Sequence, residues 1–341
     1  MVKEYGFGII GTGMIGRLHA EAISNIENAG LVAVFDKNYK SSCRLAESLK
    51  CKAFSDMGEF LDYKEIDIVT ICTPSGTHSE IAVKAANAGK HLLIEKPIDI
   101  TPEKAEEIIS ACSRNKVKCS VISQHRFDDS IIMVKKAIEE KRFGRVYFGS
   151  CCTKWYRREE YYKSSGWRGT WLYDGGGALM NQSIHYIDLL LYIMGDVKEV
   201  YGNCAALLHN IEVEDTGIAV IKFKNGALGM IEGTTAAYPG LYTRLEIHAE
   251  KGTVIIENDR IKYWNIKGEE NIHISEGTTD DTGANVPDGI SSKPHMKQFK
   301  NFIDALRNDA NPLISGEEGK RTIELILAIY ESSQKGAPVF L

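Results

Sequence analysis

Long apolar runs, paired cysteines, clustered histidines and a basic stripe are all missing from this chain of 341 residues, and each absence removes a class of function. No stretch approaches the roughly 18 apolar residues of a membrane span. The longest, Ile184–Met194, is broken by His185 and Asp188, so no membrane partner is expected. Eight cysteines (43, 51, 72, 112, 119, 151, 152 and 204) make no CxxC pair, and a chain this long folds without covalent staples. They are expected to be reduced, mostly buried thiols of a cytoplasmic protein. The neighbours Cys151 and Cys152 leave a redox role open, though no second motif supports one. The nine histidines form no HxH, HExxH or mixed Cys/His spacing, so no metal site is expected. Absent too is Gly-x-Ser-x-Gly or any other nucleophile motif. Lysines and arginines do not interleave with aromatics in a stripe, and the net charge is −5, which leaves nucleic acid out as an expected partner. The opening MVKEYGF lacks the charged, long apolar and small-residue sections of a secretory signal. No internal repeat is found.

What is present is an α/β pattern. At 43% hydrophobic and 26% charged the composition is that of a globular protein with ample core, and the length fits about two domains of roughly 150 residues. FGIIG (7–11), LVAVFD (31–36), IDIVTICTP (66–74), HLLIEKP (91–97) and KCSVIS (118–123) are continuous apolar strands separated by helical patterns. Such runs suit a parallel sheet covered on both faces. TPEKAEEIISACSRN carries Thr, then Pro, then acids, a good helix start. From about residue 124 the pattern changes. Helices are predicted over 131–140 and 178–194 and a strand over 145–152. Successive strands then follow from 197 to about 264, which favours a largely antiparallel sheet. Residues 268–293 read as a long acidic surface loop, a lid or an inert excursion, and two helices over 294–307 and 317–334 close the chain.

Three motifs carry chemistry. GTGMIG (11–16) lies between a strand and a helix, so Gly11, Gly13, Met14, Ile15 and Gly16 can cradle a pyrophosphate at a helix start. Asp36 ends the second strand, where a carboxylate would bond ribose hydroxyls and repel a phosphate. This favours NAD over NADP, while Lys37 beside it keeps NADP open. The plainer reading is a tight turn in another α/β fold. TPSGTH (73–78) ends the strand over 66–74, on the edge that lines a cofactor crevice, so Thr73, Pro74 and His78 are candidate contacts. Ser75 or Thr77 equally well caps the next helix. Glu95-Lys96-Pro97 ends another strand on that edge. A lysine there can bond a reacting oxygen and help its proton leave or arrive, or it can be a surface lysine paired with Glu95. Finally, Asn181, His185 and Asp188 form a polar row at helical spacing beside apolar Ile184, Ile187, Leu191 and Met194. His185, with an ordinary pKa of about 6.5, suits taking a hydroxyl proton, and Asp188 could orient it; alone it would read as a core histidine.

GTGMIGRLHA, TPSGTH, EKP and GGGALMNQSIHYIDLL, in this order and spacing, resemble the Gfo/Idh/MocA family, which includes glucose–fructose oxidoreductase and inositol dehydrogenase. The likeness spans nearly the whole chain. It implies a Rossmann NAD-binding domain over 1–123. It also implies an α/β substrate-binding and oligomerisation domain over 124–341 with a large, mostly antiparallel open sheet. The implied activity is NAD(P)-linked oxidation or reduction of a ring hydroxyl or ketone in a sugar, glycoside or cyclitol, in homodimers or homotetramers packed through that sheet. Lys96 falls on the family's EKP lysine and His185 on its catalytic histidine. The inositol dehydrogenase pattern has Asp four residues before that histidine; here Asn181 stands there and cannot accept a proton. A Trp-Arg pair like Trp167-Arg168 approaches the nicotinamide end in the family. Glu95 and Gln124 are further cofactor candidates, and Arg126 and Tyr156 join Lys96, Asn181 and His185 as substrate candidates. Trp155, Tyr161 and Trp171 could stack on a pyranose, and Arg157, Arg158 or Arg168 could meet an anion. The alternatives are a nucleotide-linked sugar or uronate as substrate, or a non-catalytic NAD-binding sensor.

Overall fold

A computed structural model describes residues 4–270 and 291–341, in two units. The first begins β1 (Tyr5–Ile10), α1 (Met14–Ser24), β2 (Ala29–Phe35), α2 (Tyr39–Leu49), β3 (Lys52–Phe54), α3 (Met57–Asp62) and β4 (Ile68–Ile71). It continues through α4 (His78–Asn87), β5 (His91–Ile94), α5 (Pro102–Asn115) and β6 (Cys119–Val121). All six strands are parallel, in the order β3-β2-β1-β4-β5-β6. The order reverses between β1 and β4, the position at which open α/β sheets bind ligands beyond the strands' carboxyl ends. Phe7, Ile9, Ile68, Val69, Leu92 and Leu93 are wholly buried, as strands covered on both faces require. Thr101 caps α5 by accepting from the Lys104 amide, with Pro102 at the first helical position, as the sequence predicts.

The second unit opens with α6 (Asp129–Glu139), β7 (Val146–Lys154) and the short α7 (Glu159–Lys163). After α8 (Ile184–Met194) come β8 (Val197–Ala205), β9 (Thr216–Phe223), β10 (Leu228–Thr234), β11 (Thr243–Ala249), β12 (Gly252–Glu257) and β13 (Arg260–Ile266). With the terminal β14 (Val339–Phe340) they form an eight-stranded sheet, ordered β13-β12-β11-β7-β10-β9-β8-β14. Only β7 and β10 pair in parallel. Along β9 buried and exposed residues alternate, one face closing on the core and the other presenting Ile218 and Val220 to solvent. The helix predicted over 178–194 is divided: Ala178–Ser183 winds as a π-helical turn, and α8 proper starts at Ile184.

The first unit runs to Gln124, beside the expected boundary, but the two closing helices, α9 (Lys293–Arg307) and α10 (Gly316–Lys335), break up the expected second domain over 124–341. Ser291–Arg321 belongs to the first unit and only Thr322–Leu341 to the second. The reason is the open edge of β6. Gln298 of α9 accepts from the Ser123 amide and donates to the Val121 carbonyl, and Ser315 forms a bridge to Ser120. An edge strand left bare would expose unpaired backbone groups. Phe299 then stacks on Phe7, centroids 6.1 Å apart, at the centre of the core. Among the described residues all eight cysteines are free thiols, three buried and five half-buried, and no helix is long and apolar enough to cross a membrane. Burial pushes the Cys151 thiol far up and the Cys152 thiol to about 11, so neither is poised for redox chemistry. Most of the predicted 268–293 loop, residues 271–290, lies outside the described residues.

If α9 completes the first core, Phe299→Ala should lower stability by about 3–5 kcal/mol. Urea unfolding followed by circular dichroism measures it, and a wild-type midpoint would show that the first unit stands without this helix.

Candidate active site

The glycine loop has the three properties its sequence promises. Gly11 takes φ +96°, and a Cβ there would lie 2.6 Å from the Cys72 carbonyl, so only glycine makes this turn from β1 to α1 against the end of β4. A Cβ on Gly16 would lie 2.0 Å from the Gly11 carbonyl, so α1 packs onto the loop through a missing side chain. A Cβ on Gly13 would meet nothing within 4 Å. The space it leaves at the start of α1 opens outward, where backbone N–H groups and the helix dipole favour an anion. Met14 and Ile15 form the first turn of that helix. Asp36, just beyond β2, accepts from the Thr12 amide at 2.8 Å, the Thr12 hydroxyl at 3.0 Å and the Asn38 amide at 2.9 Å. Its carboxylate therefore stands at the mouth of the loop. Thr73 and Pro74 are half-buried at the end of β4, beside Gly11. Gln124 is buried with its side-chain oxygen unpartnered among the described residues, an acceptor that a cofactor amide or hydroxyl would satisfy. These residues fit a dinucleotide.

Lys96 follows β5, half-buried, on the same edge. Its backbone amide donates to Glu95 Oε2 at 3.1 Å, and the Lys96–Pro97 peptide is cis. The other Glu95 oxygen lies 2.8 Å from His19 Nε2 and 3.7 Å from His295 Nε2. His19 Nδ1 meets the Thr70 hydroxyl at 2.5 Å and the Cys72 sulfur at 3.2 Å. Burial alone would push the His19 ring toward its neutral form. Cys72 and Glu95 outweigh it and lift its pKa to about 10, while the two histidines hold the buried Glu95 far below the usual carboxylate range. Glu95 is thus an internal strut for Lys96.

In the second unit the helix carrying His185 is fixed at its start and along its flank. Glu214 accepts from the Gly177 and Leu179 amides and from the Tyr330 hydroxyl, all at 2.8–2.9 Å. A Cβ on Gly177 would sit 1.8 Å from the Glu214 carbonyl, which explains glycine there. Asp188 takes two bonds from Arg126, at 2.6 and 2.8 Å, and one from the Thr322 hydroxyl. Arg126 is 2% exposed and lies 4.5 Å over the Tyr192 ring. That corrects the expectation that Arg126 meets substrate: its guanidinium is spent on an internal pair. His78 is likewise corrected as a cofactor contact, since it is wholly buried with its ring nitrogens 2.9 Å from the Pro97 and Thr73 carbonyls. His185 and Asn181 are half-exposed, and Asn181 donates to Asp174 at 2.5 Å. Arg168 stacks 4.3 Å from the Tyr161 ring and 5.5 Å from Trp167. Arg157 is buried between Trp155 and Tyr161 and donates to Gln182. Tyr156 is half-buried, edge-on to the exposed Tyr238.

Sequence reading missed His19 and His295, and it placed His125 beside Gln124 in the cleft without its carboxylate partners. The structure gathers them into two histidine–carboxylate groups, His19–Glu95–His295 and His125–Asp128–Asp259, that no spacing along the chain reveals. In each the closest nitrogen and oxygen are 2.8 Å apart, the separation of a shared proton. His19 left a trace: it lies on the core-facing side of α1.

Residues 5–123 match the model of an oxidoreductase family with an NAD-binding Rossmann fold, and residues 131–255 match a Gfo/Idh/MocA C-terminal domain. Myo-inositol 2-dehydrogenase of Thermotoga maritima is 27% identical over 98% of each chain. The Bacillus subtilis oxidoreductase YrbE is 30% identical, over 99% of this chain and 97% of its own. Among solved structures, the WlbA dehydrogenase from Bordetella pertussis in complex with NADH and UDP-GlcNAcA is 35% identical over 99% of each chain, with a TM-score of 0.88.

The charged His19 ties stability to pH. A histidine raised from 6.5 to about 10 contributes stability that is complete below about pH 6.5 and is lost as pH rises through 10. His19→Gln should therefore be less stable than wild type near pH 6.5, by about 3–5 kcal/mol for a broken buried pair, with the gap narrowing toward pH 10. Urea titrations across that window measure the gap, and a constant gap would mean that the folded ring carries no charge.

Proposed function

The chain belongs to the Gfo/Idh/MocA oxidoreductase family, and from that premise we propose that it is an NAD-dependent dehydrogenase of a sugar or cyclitol ring hydroxyl. The single observation that carries the cofactor half is Gly13, where the missing Cβ leaves an open approach at the start of α1 beside the Asp36 carboxylate. The nicotinamide of bound NAD would supply a hydride acceptor for the substrate's CH–OH carbon, and in its reduced form a hydride donor for the ketone. The glycine loop would hold its pyrophosphate and Asp36 its ribose hydroxyls. Lys96 and His185 would manage the proton on the reacting oxygen, one holding it by a hydrogen bond while the other takes it. Glu95 fixes the backbone of Lys96, and the Glu214 and Asp188 contacts fix the helix of His185. Trp167 and Arg168 would close on the nicotinamide end, with Asn181 and Tyr156 on substrate hydroxyls. Retention of Lys96 and His185 weighs against a non-catalytic sensor.

A second reading concerns the substrate. WlbA is bound to UDP-GlcNAcA and is 35% identical to this chain, against 27% for the inositol enzyme. Asn181 departs from the inositol pattern, and the half-buried Arg168 offers a cation to a sugar acid. We therefore favour a nucleotide-linked sugar acid over a free cyclitol. A screen of NAD reduction with UDP-sugar acids, neutral UDP-sugars, free sugars and cyclitols decides it. Lys96→Ala and His185→Ala should each lower kcat by at least about 100-fold with NAD affinity kept; near-normal turnover in either sinks the mechanism.

The sheet supports a homo-oligomer. Tyr201, Val220 and Met230 are register partners across β8, β9 and β10, and with Ile218 and Leu228 they expose a contiguous apolar face. Val220→Glu with Met230→Glu should convert the assembly to monomer in sedimentation velocity; an unchanged sedimentation coefficient would move the interface elsewhere. The free thiols fit the cytoplasm, where we place the protein.

A further inference from the structure

His125 has no part in the mechanism above, yet it lies against the histidine that does. The two rings meet edge to face, centroids 5.1 Å apart and planes at 76°. His125 sits in the 3-10 turn Gln124–Phe127, where two carboxylates meet it. Asp128 of its own turn lies 2.8 Å from Nδ1, and Asp259, from the β12–β13 turn, lies 3.3 Å from the same nitrogen. Asp259 is itself fixed: the Tyr186 hydroxyl donates to its carboxylate and accepts from its amide, and the Ser130 hydroxyl donates to its carbonyl. Tyr186 is the residue after His185, so one turn of α8 carries both the acid–base histidine and the clamp on the aspartate that charges its neighbour.

The charged groups facing His125 are Asp128, Asp259 and, from α8, Asp188. Asp188 is already neutralised by Arg126, and from α10 the uncharged Thr322 hydroxyl donates to Asp188. Arg260 neighbours Asp259 along the chain. Burial disfavours a charged His125, but Asp259, Asp128 and Asp188 overcome it and raise the ring to about 9. At neutral pH the side chain is a fixed cation. A simple tether between the two turns would need one acceptor and no charge; two carboxylates on one imidazole make a charged group, and the ring it abuts is His185.

Resting on the reading of His185 as an acid–base group, we propose that His125 is a positioning residue that lowers the proton affinity of His185 and fixes its ring edge-on. A positive charge about 5 Å away at a half-exposed site disfavours a second one. Its removal, which also leaves Asp128 and Asp259 uncompensated, should raise the His185 titration point by about one pH unit.

The test is NMR titration of histidine-labelled full-length protein, with the His185 resonance identified by its loss in His185→Gln. His125→Asn should shift the His185 titration up by about one unit, and the acid limb of kcat/KM for alcohol oxidation should move up with it. His125→Arg, which restores a cation, should return both toward wild type. Asp259→Asn, which keeps the ring, should lower the His125 titration itself. A His185 titration unmoved in His125→Asn overturns the proposal, whatever the activity. If the titration moves but His185→Ala still turns over, the acid–base reading falls and the functional role falls with it. If His185→Ala is dead and the titration does not move, the mechanism stands and the coupling is refuted.

Discussion

One buried ion pair sets the geometry of the nucleotide-binding unit. His19 and Glu95 stand 2.8 Å apart in a core where lone charges are not tolerated. The pair survives because Thr70, Cys72, His295 and the Lys96 amide bond or flank what remains of the two groups. Its consequence is positional. Helix α1, which carries His19, begins at the glycine loop; strand β5 ends at Ile94, and Glu95 and Lys96 follow it directly. The backbone that would hold the dinucleotide and the backbone that presents the lysine are joined by a contact that neither loop could supply from its own residues.

Carboxylates do the same work elsewhere. Asp36 gathers the glycine loop, Asp99 accepts from the Ser79 and Ile100 amides, and Asp215 accepts three successive amides from Leu207, Leu208 and His209. Glu214 receives two amides and the Tyr330 hydroxyl, and burial pushes its pKa up to about 7. Loops beyond strand ends have no ladder to satisfy their N–H groups, and a charged acceptor bonds them about twice as strongly as a neutral one. The functional edges can therefore be stiff without lying inside a sheet.

This division explains what could be read from the chain. The glycine loop was legible because its requirements are local: a left-handed turn, an open approach and a helix contact fall within six residues. Lys96 and His185 were legible as positions at a strand end and on a helix with a polar row. The His19–Glu95–His295 group was not, because its members are 76 and 200 residues apart in sequence and each alone looks like an ordinary core residue. Arg126 and His78 misled for the opposite reason. Their places beside strand ends suggested a cleft, while the partners that bury them, Asp188 and the Pro97 carbonyl, come from distant segments. The return of α9 to the first unit had no sequence signal either, since the need it answers is the open edge of β6.

Asn181 shows how a departure from a family pattern acquires a physical reason. An aspartate at this position would put a second carboxylate 2.5 Å from Asp174, which is buried and already accepts from the Gly169 amide. Two carboxylates at that distance cannot both stay ionised. The amide removes the conflict by donating to Asp174, and in doing so it aims its own carbonyl away from that contact. Negative charge is thereby kept on the single buried carboxylate of Asp174, and position 181 carries none.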